Sequence, residues 1–412
     1  MSSSQDSTTR LEPHVRQIFD RLRVTPQHFL DYQSGRTHEL LSPLREIEWT
    51  VPRRRAWLWP FNYFWRIDLD ALARGIRSGL DATGAGYCYM LKRNGKLVHF
   101  GAAGWAQLPA DGDVPWLFHI PMNVASVSKF ITAVALIRLL RDLSIPVTRP
   151  IGAHLPQYWS VGAGAGSITF ENLLRHEAGL GGGLSSPGPA DFATAKAQVA
   201  LGSSGTGTYN YMNANFTLLR ILFATLTGAV PAQIQWPNFF GITSDTFWDF
   251  SSISAYSNYV NDSVLWPSIT DSRGFIFPAN GAKSYATPPA APGWSDGDQS
   301  FSAGASGWFL SVSDLTRVLG ELRRGGSIMA AWRARNMMSK MYGLDPPIST
   351  SAGAVYTKGG RWGAAPQVHD SAIFVLPGDV ELAVFVNSWD GTGPGHLGFI
   401  PKLLQDSVRL VF

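Results

Sequence analysis

The chain has 412 residues, of which 45% are hydrophobic and 16% are charged. That balance is typical of a folded globular protein and excludes wholesale disorder. The single cysteine, Cys88, excludes an internal disulfide framework and a cysteine-based metal cluster. The formal net charge is +4, and Lys and Arg are spread along the chain, which argues against nucleic-acid binding.

The hydropathy of the chain bears on its location. No run approaches the ~20 uninterrupted apolar residues that a membrane-spanning helix needs. Residues 1–10 are polar and lack the apolar segment of a secretory signal. The sequence therefore predicts a cytoplasmic protein without a membrane span.

Residues 1–80 carry no assignable motif and are predicted to form an N-terminal extension. Within them, residues 57–65 are dense in Trp, Phe and Tyr. We favour a loop that wraps the domain and buries these rings, because proline and polar residues interrupt any amphipathic period. The alternatives are a segment at a membrane interface and a lid over an apolar cleft. Residues 81–412 are predicted to form one domain.

Both ends of that domain show β patterns. Residues 87–100 contain two apolar runs separated by Asn94-Gly95, a pair of residues that favours a tight hairpin turn. Residues 372–386 contain two further apolar runs separated by the turn residues 377–379. Each arrangement predicts a β-hairpin.

Helical patterns occupy the middle of the domain and its end. Residues 126–325 are mostly helical in pattern and include an apolar helix over 130–143, and residues 397–411 are predicted to form a terminal helix. A sheet built from 85–104 and 352–412, with helices inserted between them, predicts an α/β (α+β) fold.

A serine and a lysine stand three residues apart where a loop runs into the apolar helix, in Ser126-Val-Ser-Lys129. Residues three apart on a helical turn face the same way, and a helix N-terminus favours a developing anion. A serine becomes a nucleophile when a neighbouring base takes its proton, which a lysine that shares its proton with another group can do. By itself, the same spacing also arises from a capping serine and a surface lysine.

Two further segments follow the helix. Residues 155–156 are Leu-Pro, and residues 173–180 are Leu-Leu-Arg-His-Glu-Ala-Gly-Leu. Together with Ser126 and Lys129, they resemble the serine β-lactamase-like superfamily, in particular its branch of class C β-lactamases, D-Ala-D-Ala carboxypeptidases and serine esterases. Ala178 stands where that family commonly has Ser. The resemblance implies the fold of the β-lactamases and penicillin-recognising enzymes, an antiparallel sheet flanked by helices plus a helical region.

The second motif of that family, Tyr-x-Asn at the head of a helix, matches Tyr211-Met-Asn213. Tyr209 is a rival that lacks an Asn two residues on. The resemblance implies that Tyr211 lies beside Ser126 and Lys129, where a tyrosine can accept the serine proton and pass it to the leaving group. It also implies that Asn213 positions the substrate.

The third motif of the family, Lys-x-Gly on a strand that lines the site, matches Lys358-Gly359-Gly360. The resemblance implies that Lys358 binds a substrate carboxylate or tunes the catalytic tyrosine, and that the two glycines let the substrate lie against the strand. It further implies an oxyanion hole made of the backbone N–H groups of Ser126 and Arg361.

Together these motifs imply a serine hydrolase that forms an acyl-enzyme and cleaves an ester or amide bond in a small-molecule substrate, with no metal and no cofactor. Two alternatives stay open: a biosynthetic transacylase that passes the acyl group to an amine or alcohol, and a non-catalytic relative that binds ligands in the same cleft. The aromatic residues of 236–266 are either an apolar substrate wall or the core of the helical region. An apolar, dry cleft would favour acyl transfer. The oligomeric state stays undetermined.

Overall fold

A computed structural model describes residues 13–25, 28, 64–81, 86–180, 186–235, 242–269, 273–388 and 397–411. Most of the aromatic run at 57–65 lies outside the described residues, as do Trp236, Phe239 and Phe240. Among the residues described, no helix is long and apolar enough to cross a membrane.

The helices are α1 (Pro13–Leu22), α2 (Leu69–Asp81), α3 (Ser128–Asp142), α4 (Phe170–Leu174), α5 (Phe192–Leu201), α6 (Asn213–Leu226), α7 (Ser244–Val260), α8 (Val312–Arg324), α9 (Ala331–Ser339) and α10 (Ile400–Asp406). The strands are β1 (Phe64–Ile67), β2 (Tyr87–Arg93), β3 (Lys96–Ala103), β4 (Trp105–Gln107), β5 (Val114–Pro115), β6 (Met122–Asn123), β7 (Phe309–Leu310), β8 (Asp345–Thr350), β9 (Gly353–Ala364), β10 (Gln367–Leu376), β11 (Val380–Val386) and β12 (Val408–Val411).

The chain divides into two compact units. The helical unit comprises Met1–Ser42, Ser128–Val264 and Asp298–Gly307. The sheet unit comprises Pro43–Val127, Leu265–Gly297 and Trp308–Phe412.

The sheet unit is built around six antiparallel strands in the order β3-β2-β11-β10-β9-β8. Both predicted hairpins are confirmed. Asn94 and Gly95 join β2 to β3 with φ angles of 51° and 72°, the left-handed conformation that a tight hairpin turn requires at both central residues. In the second hairpin, Leu376 of β10 stands opposite Val380 of β11.

Helices cover both faces of this sheet. Ile76 and Leu80 of α2 and Leu404 of α10 pack with Leu382 on one face, and all four side chains are fully buried. On the other face, the hydroxyl of Thr316 in α8 donates to the sulfur of Met90 in β2. The α+β fold predicted from the sequence is therefore confirmed, and strands covered on both faces explain the continuous apolar runs of β10 and β11.

The predicted terminal helix over 397–411 is wrong in its second half. Helix α10 ends at Asp406, and β12 then pairs antiparallel with β1, with Val408 opposite Ile67. Two of the four β12 residues are valines, which favour a strand. The strand that supplies the hydrogen bonds comes from near the other end of the chain, where a local pattern cannot reveal it.

The predicted N-terminal extension contributes to both units. Helix α1 belongs to the helical unit, where the side chain of Asn258 in α7 donates to the carbonyl of Leu22. Strand β1 and helix α2 belong to the sheet unit. The proposed domain boundary at residue 80 stays a prediction.

The apolar helix predicted over 130–143 is confirmed as α3, which is buried along nearly its whole length. It lies in the helical unit with α7, where the hydroxyls of Thr132 and Tyr256 are 2.7 Å apart. Phe247, Trp248 and Tyr256 are fully buried, and the indole N–H of Trp248 donates to the carbonyl of Ile234. These three aromatic residues therefore form part of the core of the helical unit.

Candidate active site

Ser126 lies in a single 3-10 turn, Ala125–Val127, which leads directly into α3. The sequence pattern predicted Ser126 in the first turn of the α-helix, whereas it lies in the 3-10 turn that immediately precedes the helix. Ser126 is partly exposed, whereas the neighbouring Ser128 is fully buried. A reagent in solution can therefore reach Ser126 more readily than Ser128.

The backbone next to Ser126 is held in a strained conformation. Ala125 has a φ of 46°, a left-handed value that non-glycine residues seldom adopt. Its N–H donates to Oδ1 of Asn123 (2.8 Å), and the N–H of Val124 donates to the carbonyl of Trp308 (2.8 Å). Such strain costs about 1–3 kcal/mol and persists where the surroundings enforce it, as they often do at functional sites.

Strand β9 packs closely against this turn at Gly360. A Cβ atom at position 360 would lie 2.5 Å from the carbonyl oxygen of Val124 and 2.9 Å from the backbone nitrogen of Ser126. The hydroxyl of Ser371, on β10, donates to the same Val124 carbonyl at 2.8 Å. Gly360, the glycine of the predicted Lys-x-Gly motif, is thus the residue that lets β9 approach the backbone of Ser126.

The direction of the Arg361 N–H follows from its neighbour Gly359. The N–H of Gly359 donates to Oδ2 of Asp345 (2.8 Å) and so points away from β10. Successive N–H groups alternate along a strand, and the register between β9 and β10 is continuous from 356 to 364. The N–H of Arg361 therefore points away from β10 as well.

In the helical unit, three predicted site residues meet around one buried ammonium. Lys129 is fully buried on α3, and its Nζ donates to Oδ1 of Asn213 (2.7 Å) and to the carbonyl of Ala305 (2.8 Å). The same Nζ lies 5.0 Å from the ring centroid of Tyr211. Lys129 of the first motif is thus brought together with Tyr211 and Asn213 of the second, 82 and 84 residues away in the chain, by the packing of α3 and α6.

The ring of His176 packs against the ring of Tyr211. The centroids of the two rings are 4.4 Å apart. Nδ1 of His176 accepts from the N–H of Met212 (3.3 Å) and lies 3.1 Å from Nδ2 of Asn215. The sequence contained this histidine in the Leu-Leu-x-His segment, but its role beside Tyr211 was not predicted. The rival Tyr209 is 52% exposed.

Lys358 is buried in the sheet unit and forms an ion pair with Asp345. Its Nζ is 2.5 Å from Oδ1 of Asp345, and its side chain is only 3% exposed. Arg361 is also paired, with its Nε 2.8 Å from Oδ1 of Asp370. The sequence offered no signal for Asp345, which begins the edge strand β8.

Two other buried ionisable groups lie in the sheet unit. Burial lowers the pKa of His369 to about 4, so this histidine is neutral near pH 7, and its Nδ1 lies 2.6 Å from the hydroxyl of Ser284. Burial also raises the pKa of Asp296 to about 7, an effect that a hydrogen bond from Asn123 partly offsets. Asn123 supports the Ser126 turn, so Asp296 is a neighbour of that turn which the sequence did not indicate.

The predicted site residues thus form one group in each unit. The helical unit holds Lys129, Tyr211 and Asn213, and the sheet unit holds Ser126, Lys358, Gly359, Gly360 and Arg361. Among the residues described, no cluster of three or more His, Cys, Asp or Glu side chains is arranged to hold a metal ion.

This fold is that of the β-lactamases and penicillin-binding proteins. The Beta-lactamase family model matches residues 73–400, and the chain therefore belongs to the β-lactamase family. No curated protein matches the sequence significantly.

Solved structures agree with this assignment. FmtA from Staphylococcus aureus matches over 98% of each chain, with a TM-score of 0.61 and 13% identity. A β-lactamase/D-alanine carboxypeptidase from Pseudomonas syringae matches over 82% of this chain and 98% of its own, with a TM-score of 0.59 and 16% identity. A class C β-lactamase from Rhodobacter sphaeroides matches over 82% and 99%, with a TM-score of 0.57 and 16% identity. At these identities the similarity establishes the fold alone.

Proposed function

We propose that this protein is a serine hydrolase that forms an acyl-enzyme on Ser126 and cleaves an ester or amide bond in a small-molecule substrate. The observation that carries the proposal is the meeting of Lys129, Tyr211 and Asn213 around one buried ammonium. The segment that bears this lysine begins with a strained turn whose serine is partly exposed. Membership of the β-lactamase family supports hydrolase chemistry in general.

In the proposed reaction, Oγ of Ser126 attacks the carbonyl carbon of the substrate. Its proton passes to the phenolate oxygen of Tyr211, an ionised form that the neighbouring Lys129 ammonium favours, and then to the leaving group as the tetrahedral intermediate collapses. Water attacks the acyl-enzyme by the reverse path. The backbone N–H groups of Ser126 and Arg361 are the proposed oxyanion donors, and such donors each contribute about 10²–10³-fold in rate.

Fixed positions support this role for Lys129. Two of its hydrogen-bond acceptors, the side-chain amide oxygen of Asn213 and the carbonyl oxygen of Ala305, hold the amine in place. Asn213 is itself held, because its Nδ2 donates to the carbonyl of Gly188 at 2.7 Å. An ammonium held this firmly needs little reorganisation during the reaction.

Hydrolysis is favoured over acyl transfer. The case for a transacylase depended on aromatic residues lining a dry cleft. Three of those in the described part of 236–266, Phe247, Trp248 and Tyr256, belong to the core of the helical unit, which weakens that case. A non-catalytic relative is disfavoured, because a ligand-binding role does not require a buried lysine beside a tyrosine. A cytoplasmic location and an amine or alcohol acceptor stay predictions from the sequence.

The test is covalent labelling with a neutral fluorophosphonate, followed by intact-protein mass spectrometry. We expect one adduct on the wild type and on Ser128→Ala, and none on Ser126→Ala, whose ester turnover should fall by several orders of magnitude. Circular dichroism and thermal unfolding of each variant control for folding. An adduct that persists in folded Ser126→Ala would refute the assignment of the nucleophile.

A further inference from the structure

The positive charges beside the Ser126 turn are matched by carboxylates of the protein itself. Within the sheet unit, Lys358 and Arg361 lie on either side of Gly359 and Gly360, the latter being the residue against which Ser126 packs. Lys358 is paired with Asp345, and Arg361 is paired with Asp370. Each of these two cations of β9 therefore has a carboxylate partner on a neighbouring strand.

The carboxylate of Asp345 occupies a distinctive position. Oδ1 accepts from the ammonium of Lys358 at 2.5 Å, while Oδ2 accepts from the backbone N–H of Gly359 at 2.8 Å. An ammonium and a strand-edge N–H together form a natural site for a carboxylate, because both are donors and one is charged. In this chain, the protein's own side chain fills that site.

This arrangement disfavours the binding of an anionic ligand. A substrate carboxylate at this edge would have to displace Asp345 from two charge-assisted or backbone hydrogen bonds, or lie next to it. Asp345 is 31% exposed at its side chain, so a ligand can approach its negative charge. Like charges placed side by side at a binding surface repel each other, which suppresses binding of the wrong partner.

From this we propose that Asp345 makes the enzyme selective for substrates with no carboxylate next to the scissile bond, which are neutral esters or amides. The inference rests on the proposed function, since it assumes acylation of Ser126. It assigns Asp345 as a specificity-determining residue and gives Lys358 the task of holding Asp345 in place.

The experiment uses two thioester probes that differ in one group. The first is an N-acylglycyl thioester of thioglycolic acid, and the second is the same thioester with the acid replaced by its carboxamide. Release of the free thiol gives kcat/KM for both probes. The variants are Asp345→Asn and a matched control, Asp379→Asn, which removes a carboxylate from the same unit. Asp379 pairs with Arg323 and has a φ of 56°, a conformation that Asn tolerates well.

We expect the wild type to prefer the carboxamide probe by at least about tenfold in kcat/KM, equivalent to about 1.4 kcal/mol. Asp345→Asn should shift the ratio at least about tenfold toward the carboxylate probe, and Asp379→Asn should keep the wild-type ratio. A wild-type preference for the carboxylate probe overturns the proposal, as does an unchanged ratio in Asp345→Asn. The wild-type ratio is decisive even if Asp345→Asn does not fold.

Fluorophosphonate labelling distinguishes a failure of the Asp345 assignment from a failure of the proposed function. If Ser126 is labelled but the carboxylate probe is preferred, only the assignment of Asp345 is refuted. If Ser126 is not labelled and neither probe is turned over, the proposed function fails and the specificity inference fails with it.

Discussion

Gly360→Ala should disable the site through a single methyl group. The new Cβ would lie 2.5 Å from the Val124 carbonyl oxygen, 2.7 Å from the Ser371 hydroxyl and 2.9 Å from the Ser126 nitrogen. Cβ atoms essentially never approach other atoms this closely, and two of the three neighbours are backbone. The turn that carries Ser126 must therefore move away from β9.

The added methyl group overpacks the contact between β9 and the Ser126 turn. Overpacking of this kind costs about 1–3 kcal/mol of stability, which corresponds to a Tm decrease of several degrees. The Ser126 N–H is one of the two proposed oxyanion donors, and loss of such a donor costs about 10²–10³-fold in rate. A displacement of about 1 Å from the reactive geometry has a similar effect.

The assay compares second-order rate constants for fluorophosphonate labelling, with thermal unfolding measured in parallel. Gly274→Ala, in the same unit, is the matched control, because a Cβ there meets no atom of the described residues within 4 Å. We expect Gly274→Ala to label at close to the wild-type rate and Gly360→Ala to label about 10²-fold more slowly or worse. Equal rates for the two variants would refute the reasoning that the turn depends on a glycine at 360.

Two further predictions concern the proton path and the pH dependence of stability. Lys129→Ala and Tyr211→Phe should each reduce acylation strongly, and the double variant should be little worse than either, because the pair acts as a unit; rate losses that simply multiply would show separate roles. Burial raises the pKa of Glu381 to about 7, with Arg323 opposing the shift, so the native state holds a proton between about pH 5 and 7 that the unfolded state releases. The contribution of this group to the free energy of unfolding therefore decreases as pH rises through that window. In denaturant unfolding, the free energy of unfolding of Glu381→Gln relative to the wild type should be higher at pH 8 than at pH 5, by on the order of 1–3 kcal/mol. An equal difference at both pH values would show that Glu381 does not titrate as the burial implies.

What the sequence determined by itself was local. Asn94-Gly95 defines a hairpin because a tight turn needs left-handed conformations at two adjacent residues, and these residue types adopt them at low cost. The apolar run of α3 was recognisable for a similar reason, since a run of neighbouring apolar residues indicates a buried helix. The Tyr211-x-Asn213 segment at the head of α6 was recognised instead through its resemblance to a family motif.

Only the tertiary structure decided the pairings between distant segments. The partner of β12 is β1, from near the opposite end of the chain, and without it the last residues continue a helical pattern. Lys129 meets the carbonyl of Ala305, 176 residues away, and a backbone acceptor carries no side-chain signature. Asp345 pairs with Lys358 because β8 lies antiparallel beside β9. Nothing in the local sequence distinguishes Asp345 from the other aspartates of the chain. Such contacts depend on which chain segments the fold brings together, and that is set by the packing of the whole core.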